Sequence, residues 1–354
     1  MTQDSPPPIA GMWKRKGSSS LNQPHPEELT RLSQVTVTAT VLNEVGEIDR
    51  LMTSLMEQTL SPSEVVIVDG GSTDGTWERL FAAASKYSNL IAIQDASCSL
   101  KGSAGPIARG RNVAISKSSS DVIACVDAGC TYESEWLARL TAPILKGNAQ
   151  YAVGGSCIDP EDRTTWDVAS APFFGIKLSA DEPTKSCTAR SMAFRKRLWR
   201  QVGGFPEDVF LGEDTIFDQR ARKIATPAFP ERAKAHYRPK HTFGSAIRQV
   251  ASYAKTDGVL GTRPARLFRN LARCLAELAA LALLPRSVIP LLCVLALEIY
   301  FAFRLDWRSF PRKFSPRLLG ARLLFSLMVP WVVTWNQIVG LFTKRNRPNR
   351  QNAA

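Results

Sequence analysis

The chain has 354 residues, enough for one large domain or two smaller ones, and 44% of them are hydrophobic, which excludes a wholly disordered chain. Lys and Arg number 45 against 32 Asp and Glu, a net charge of +13, so an anionic partner is expected: anionic lipid, a phosphorylated ligand or nucleic acid. No recognised nucleic-acid reader motif accompanies that charge, which argues against nucleic acid; the 7 cysteines contain no CxxC pair and read as buried, reduced thiols.

Residues 1–33, rich in Pro, Ser and Gln, lack the apolar core of a signal peptide and read as a disordered tail. The β-branched run Val35–Leu42 predicts a first strand, with Asn43 and Glu44 at its end. Ile48, Leu51, Leu55 and Met56 recur at helical spacing, so a helix follows. Val65–Val68 is a second strand ending at Asp69, and Thr73 or Asp74 can cap a helix carrying Trp77, Leu80 and Phe81. Leu90–Ile93 is a third strand, Lys101–Gly105 a loop, and Arg109–Ser116 the start of another helix. Val122–Val126 is a fourth strand ending at Asp127, and Trp136, Leu137 and Leu140 mark a further helix. Strand and helix alternate, which predicts an α/β fold with a mostly parallel sheet flanked by helices.

Beyond residue 150 the alternation weakens. Tyr151–Gly155 reads as a strand, residues 158–190 as loop-rich, and Leu198–Val202 as helical up to Gly203. Thr215–Lys223 is a helix opened by Glu213 and Asp214, and residues 241–255 are an amphipathic helix with Phe243, Ile247, Val250 and Tyr253 on one side. Two apolar stretches close the chain. Residues 274–303 contain Glu277, Pro285 and Arg286, whereas 323–342 are uncharged and match the roughly 20 residues needed to span a bilayer. Arg263, Arg266, Arg269 and Arg273 precede the first stretch. Arg304, Arg308, Arg312, Lys313 and Arg317 lie between the two, and Lys344, Arg345, Arg347 and Arg350 follow the second. Positive charge bracketing apolar segments predicts a membrane-associated region. If both stretches spanned, the loop Arg304–Arg317 would face the wrong side, so a re-entrant or interface-lying first segment is one resolution.

Apolar strands that end in acids carry the chemistry, because ligands of open α/β sheets bind beyond the strands' carboxyl ends. Asp69, in Asp69-Gly70-Gly71-Ser72-Thr73-Asp74-Gly75-Thr76, can accept base or ribose hydrogen bonds, and Gly71 permits close approach of the backbone. Glu44 is a candidate for the same pocket. Arg109 and Arg111 follow a glycine-containing loop and are candidates for phosphate, as are Arg190 and Arg195 for a phosphate or an anionic acceptor. Gly203-Gly204-Phe205 followed by Gly212-Glu213-Asp214 adds an acid pair after a glycine turn.

In this order, these pieces resemble the family 2 glycosyltransferases of the GT-A fold over residues 34–258. Arg238-Pro239-Lys240, Arg248-Gln249, Tyr253-Ala254 and Asp257-Gly258 are similar to the tail of many membrane-associated members. The resemblance implies a nucleotide-diphosphate sugar donor, with Asp69 on the base, and an inverting transfer in which Asp214 is the base and Glu213 its neighbour. Asp127-Ala128-Gly129 stands where the family has Asp-x-Asp, the pair that holds a divalent cation, Mg²⁺ or Mn²⁺. Here the last acid is Gly129, which leaves Asp127, with His236 as a possible second ligand. The Gln-x-x-Arg-Trp motif of processive synthases is absent, so one sugar per encounter is expected. The implied organisation is a tail (1–33), a GT-A domain (34–258), membrane-associated helices (259–343) and a basic tail (344–354). The expected acceptor is a lipid-linked or other saccharide in cell-surface polysaccharide or glycolipid synthesis, with the catalytic domain on the cytoplasmic side of a membrane. The rivals are a polyprenyl-phosphate sugar synthase and a non-catalytic scaffold that binds nucleotide sugar.

Overall fold

The structure, a computed structural model, describes residues 34–178, 188–304 and 315–345. The predicted tail 1–33, Cys187, Arg308, Arg312, Lys313 and the end of the basic tail (346–354) lie outside the described residues.

The chain alternates as expected through its first half. Strand β1 (Val35–Val41) is followed by helix α1 (Ile48–Met56), β2 (Glu64–Asp69) by α2 (Thr76–Lys86), and β3 (Leu90–Gln94) by α3 (Pro106–Lys117). Then come β4 (Val122–Cys125), β5 (Cys130–Tyr132), α4 (Trp136–Leu145), β6 (Tyr151–Val153) and β7 (Gly155–Ile158). These are followed by α5 (Thr165–Phe174), β8 (Met192–Arg195), α6 (Lys196–Gln201), α7 (Glu213–Ala221) and β9 (Lys234–Tyr237).

The main sheet has six strands in the order β3-β2-β1-β4-β8-β6. The first four are parallel, whereas β8 runs antiparallel to β4 and β6 antiparallel to β8. The strand at 192–195 is absent from the sequence-based reading, because Met-Ala-Phe-Arg is too short to display a period. A smaller sheet pairs β5 antiparallel and β7 parallel to β9. Residues 165–174 are a helix where a loop was expected. Its N-terminus is fixed by a capping box in which Thr164 and Asp167 satisfy each other's backbone amides.

Both faces of the main sheet are covered. On β4, Val122 and Ala124 join Val37, Leu51, Leu55, Trp136 and Leu140 in one core, while Ile123 and Cys125 join Phe194, Phe205 and Phe217 in another. Phe205 stacks on Phe217 with ring centroids 4.5 Å apart. Burying each such side chain contributes about 1.5–3 kcal/mol, enough to hold the strand ends in fixed register.

The rest is helical: α8 (Phe243–Leu260), α9 (Pro264–Leu283), α10 (Ile289–Arg304) and α11 (Pro316–Arg345). The apolar stretch 274–303 is thus two helices broken around Pro285, not one continuous segment. Among the described residues α11 alone is long and apolar enough to cross a membrane, with a mean hydropathy of 1.6 over Pro316–Thr343. Half of that apolar window is buried, because α11 packs along α8 and α5. Val250 and Ala254 of α8, Val168 and Ala171 of α5, and Phe325, Val329 and Val333 of α11 form one shared core. Where α8 and α11 cross, a Cβ on Gly258 would stand 2.9 Å from the Gly340 Cα, so their backbones touch.

Candidate active site

Strand direction decides which side chains meet. Val41 of β1 pairs with Asp69 of β2, Thr38 of β1 with Cys125 of β4, and Cys125 with Met192 of β8. The carboxyl ends of β1, β2 and β4 and the amino end of the antiparallel β8 therefore share one edge. Asn43, Glu44, Asp69, Asp127 and Arg190 sit there or just beyond it.

The loops after β1 and β2 are laced together. Asn43 adopts a left-handed conformation with φ 56°; its amide donates to Ser72 Oγ at 2.8 Å and its Oδ1 accepts from the Thr73 amide at 2.9 Å. The Glu44 amide donates to Thr76 Oγ1 at 2.8 Å. Asp69 is fully buried and accepts from the amides of Gly71 at 3.2 Å and Ser72 at 3.1 Å, and from the Ser72 hydroxyl. Gly71 has φ 89°, a conformation that glycine adopts without strain, and nothing stands within 4 Å of where its Cβ would be. The Asp69 carboxylate is thus braced under an open turn. Burial, followed by the charges of Glu47, Asp127 and Asp74, pushes the Glu44 carboxyl up to about 7.

Arg111 is the centre of the other half. Helix α3 lies so close to β1 that a Cβ on Gly110 would be 2.2 Å from Thr40 Oγ1. That approach sets Arg111 beneath the edge, 5% exposed, where its guanidinium donates to Asp127 Oδ1 at 2.8 Å and to Glu213 Oε1. Burial opposes its charge, but the carboxylates of Glu213 and Asp127 outweigh burial and hold its pKa above the ordinary value. Burial also pushes the Glu213 carboxyl up; Arg111 opposes this and the charge of Asp214 adds to it. Glu213 and Asp214 occupy the first turn of α7, where the helix dipole favours acids. Asp214 is half-buried, with Oδ2 accepting from the Ala189 amide at 3.3 Å and Oδ1 from the Thr215 amide at 2.6 Å.

Arg109 instead pairs with Glu207 at 3.0 Å and Ser97 at 2.9 Å, a contact that anchors α3 to the loop before α7. His236 faces Glu133 at 3.3 Å and Cys157 at 3.6 Å. Its neighbour Tyr237 faces Arg190, and since strand residues alternate, His236 points away from Asp127. Arg195 pairs with Asp121 at 2.6 Å at the far end of β8.

On this donor set the residues present do not fit a resident divalent cation. No three His, Cys, Asp or Glu side chains among the described residues are grouped to hold one. Asp127 is the one acid left of the Asp-x-Asp position, and its Oδ1 is already held by Arg111. Gly129 is not imposed by shape: its backbone is ordinary, and a Cβ there would meet nothing nearer than Tyr237 at 3.9 Å.

A polar wall built by α8 was not legible in the sequence. Gln249 donates to the hydroxyls of Tyr237 at 3.4 Å and Tyr253 at 3.3 Å, and its Oε1 accepts from His241 Nε2 at 2.5 Å. The His241 amide in turn donates to Asp167 Oδ1 at 2.8 Å. His241 just before α8, with Gln249 and Tyr253 on it, is a weak signal until α5 is known to supply Asp167.

Residues 36–203 match the family described as Glycosyl transferase family 2. "Glycosyltransferase AglE" of Haloferax volcanii is 29% identical over 199 residues, 53% of this chain and 60% of the relative, so the chain spans about three-fifths of the curated relative it matches. Two solved structures are similar at 17% identity. One is S. aureus TarS 1-349 in complex with UDP-GlcNAc, with a TM-score of 0.46 over 88% of this chain and 91% of that one. The other is the mannosyltransferase PcManGT from Pyrobaculum calidifontis in complex with GDP-Man and Mn²⁺, with a TM-score of 0.48 over 88% and 86%. The match to glycosyltransferase family 2 thus rests on residues 36–203, just under half of the chain.

Proposed function

We propose that the chain is an inverting, non-processive glycosyltransferase that moves a hexose from a nucleotide-diphosphate sugar to a lipid-linked saccharide. The observation that carries this reading is the convergence of Asp69, Asp127 and Asp214 on one sheet edge, with Arg111 tying Asp127 to Glu213. Asp69 with Gly71 and Glu44 receives the nucleoside, and the diphosphate lies toward Asp127 and the arginines. Asp214 takes the proton of the acceptor hydroxyl as its oxygen attacks the anomeric carbon. The bond from that carbon to the diphosphate oxygen breaks, and the nucleoside diphosphate leaves with the electron pair. Glu213, held by Arg111, fixes the start of α7 and so the aim of Asp214.

The helices support this acceptor class. Phe268, Leu275, Leu278 and Leu281 on α9, Leu292 on α10, and Trp335 and Phe342 on α11 are exposed apolar side chains. Basic residues flank them, as at a membrane surface. Because α8 both lines the cleft and crosses α11 at Gly258 and Gly340, a membrane-held α11 would fix the cleft's distance from the bilayer. Cell-surface polysaccharide or glycolipid assembly, with the catalytic part on the cytoplasmic side, is the setting that fits. Replacing Asp214 with Asn tests the chemistry. Turnover should fall by about 10²–10⁴-fold while nucleotide affinity, measured by calorimetry, stays as in wild type. Full turnover would remove Asp214 as base, and joined to dependence on a lipid phosphate it would identify a polyprenyl-phosphate sugar synthase.

A further inference from the structure

We propose that Arg190 is the counter-charge for the donor's diphosphate, so that donor binding in this chain runs through a buried guanidinium and not through a protein-held cation. This rests on the nucleotide-sugar reading above. Arg190 lies in the single turn Ala189–Ser191 that precedes β8, at the shared edge. Its own backbone fixes it between the two acids. The Ala189 amide is bound to Asp214, and the Arg190 carbonyl accepts from the Tyr132 hydroxyl at 3.1 Å.

The side chain is unfinished as a structural group. Arg190 is 9% exposed, and its guanidinium lies over the Tyr237 ring at 4.1 Å. Nε stands 3.7 Å from Asp127 Oδ2, too far for a hydrogen bond, and both Nε and Nη1 are buried without a hydrogen-bond partner among the described residues. Buried donors are nearly always paired, so an unpaired buried guanidinium at a ligand-binding edge is one kept for a ligand. A planar fork of donors suits phosphate oxygens, and stacking on Tyr237 presets its plane.

Gly129 completes the argument. A Cβ on Gly129 would contact the same Tyr237 ring that Arg190 covers. Glycine at 129 therefore removes a cation ligand and sets no side chain against the ring that Arg190 covers.

The test is calorimetry on the detergent-solubilised full chain with UDP and GDP, and with uridine and guanosine, each in Mn²⁺ and in EDTA. Wild type should bind one diphosphate with affinities that agree in the two conditions. Arg190→Gln should lose about tenfold or more of the diphosphate affinity but keep that of the matching nucleoside, and Arg190→Lys should fall between. Gly129→Asp should weaken the diphosphate in EDTA and recover it in Mn²⁺. Wild-type binding that collapses in EDTA would overturn the inference and leave the transferase reading intact. So would an Arg190→Gln variant that loses nucleoside and diphosphate alike, which is the mark of a merely structural arginine. No binding of either diphosphate to wild type would overturn both readings.

Discussion

Two buried charges of this molecule, Arg190 and Glu298, are held in opposite ways. At the sheet edge, Arg190 keeps two buried nitrogens unpaired and Asp127 is shared between two guanidinia. Among the C-terminal helices, Glu298 of α10, 1% exposed, is saturated: Oε1 accepts from Arg273 Nε of α9 at 3.0 Å, and Oε2 accepts from Arg273 Nη2 and from Ser326 of α11 at 2.6 Å. Arg273 also donates to the Ser326 carbonyl at 2.9 Å. At Glu298 the charge that joins three helices is closed off by its neighbours, whereas at Arg190 two nitrogens are left short of partners.

The comparison is broken most severely by removing one member of the saturated cluster. Glu298→Ala leaves the buried Arg273 without its carboxylate, and should cost about 3–5 kcal/mol, read as a lowered thermal midpoint. Arg273→Met combined with Glu298→Leu should restore most of it, because both charges then leave together. A smaller loss is expected at the helix crossing. Gly340→Val places a side chain against the Lys255 carbonyl, where a Cβ would stand 2.1 Å away. It should cost about 1–3 kcal/mol and open α11 to proteolysis before the sheet unfolds.

The smallest effect is a pH slope at Glu44. Its carboxyl is pushed from 4.5 up to about 7 by burial first and then by Glu47, Asp127 and Asp74. The folded state therefore takes up the proton more readily than the unfolded chain. The stability this contributes is complete below pH 4.5 and is lost as pH rises through about 7. Melting curves from pH 4.5 to 8 should show wild type losing ground to Glu44→Gln over that window; parallel slopes would remove Glu44 from the cleft's charge cluster. A diphosphate near Glu44 would raise its pKa further, so nucleotide affinity should also weaken across the same window in wild type and less so in the variant.

The first half of the fold was readable because β1 is rich in β-branched residues and β2 and β4 are continuous apolar runs, each with an acid or amide at or just beyond its end. The same ends brought Asp69 and Asp127 to one edge on paper. β8 escaped because four residues carry no period, and with it went the reversal of strand direction that delivers Arg190 to that edge. Helix α5 had a visible signature, Thr164 three residues before Asp167, but Pro172 and Gly175 beside it read as loop. The Asp127–Arg111–Glu213 bridge joins residues 102 positions apart and follows from tertiary packing alone. His236 could be placed only once the register of β9 put Tyr237 on the side of Arg190.

The central claim is that the carboxyl edge of the main sheet, and not another surface, receives a nucleotide diphosphate. Hydrogen exchange of the full chain with and without UDP, GDP and dTDP addresses it most directly. One of the three should slow exchange at Asp69–Thr76, at 127–130 and at 189–191 together, while α9 to α11 stay unchanged. Protection confined to other segments, or protection by none of the three, would contradict the account.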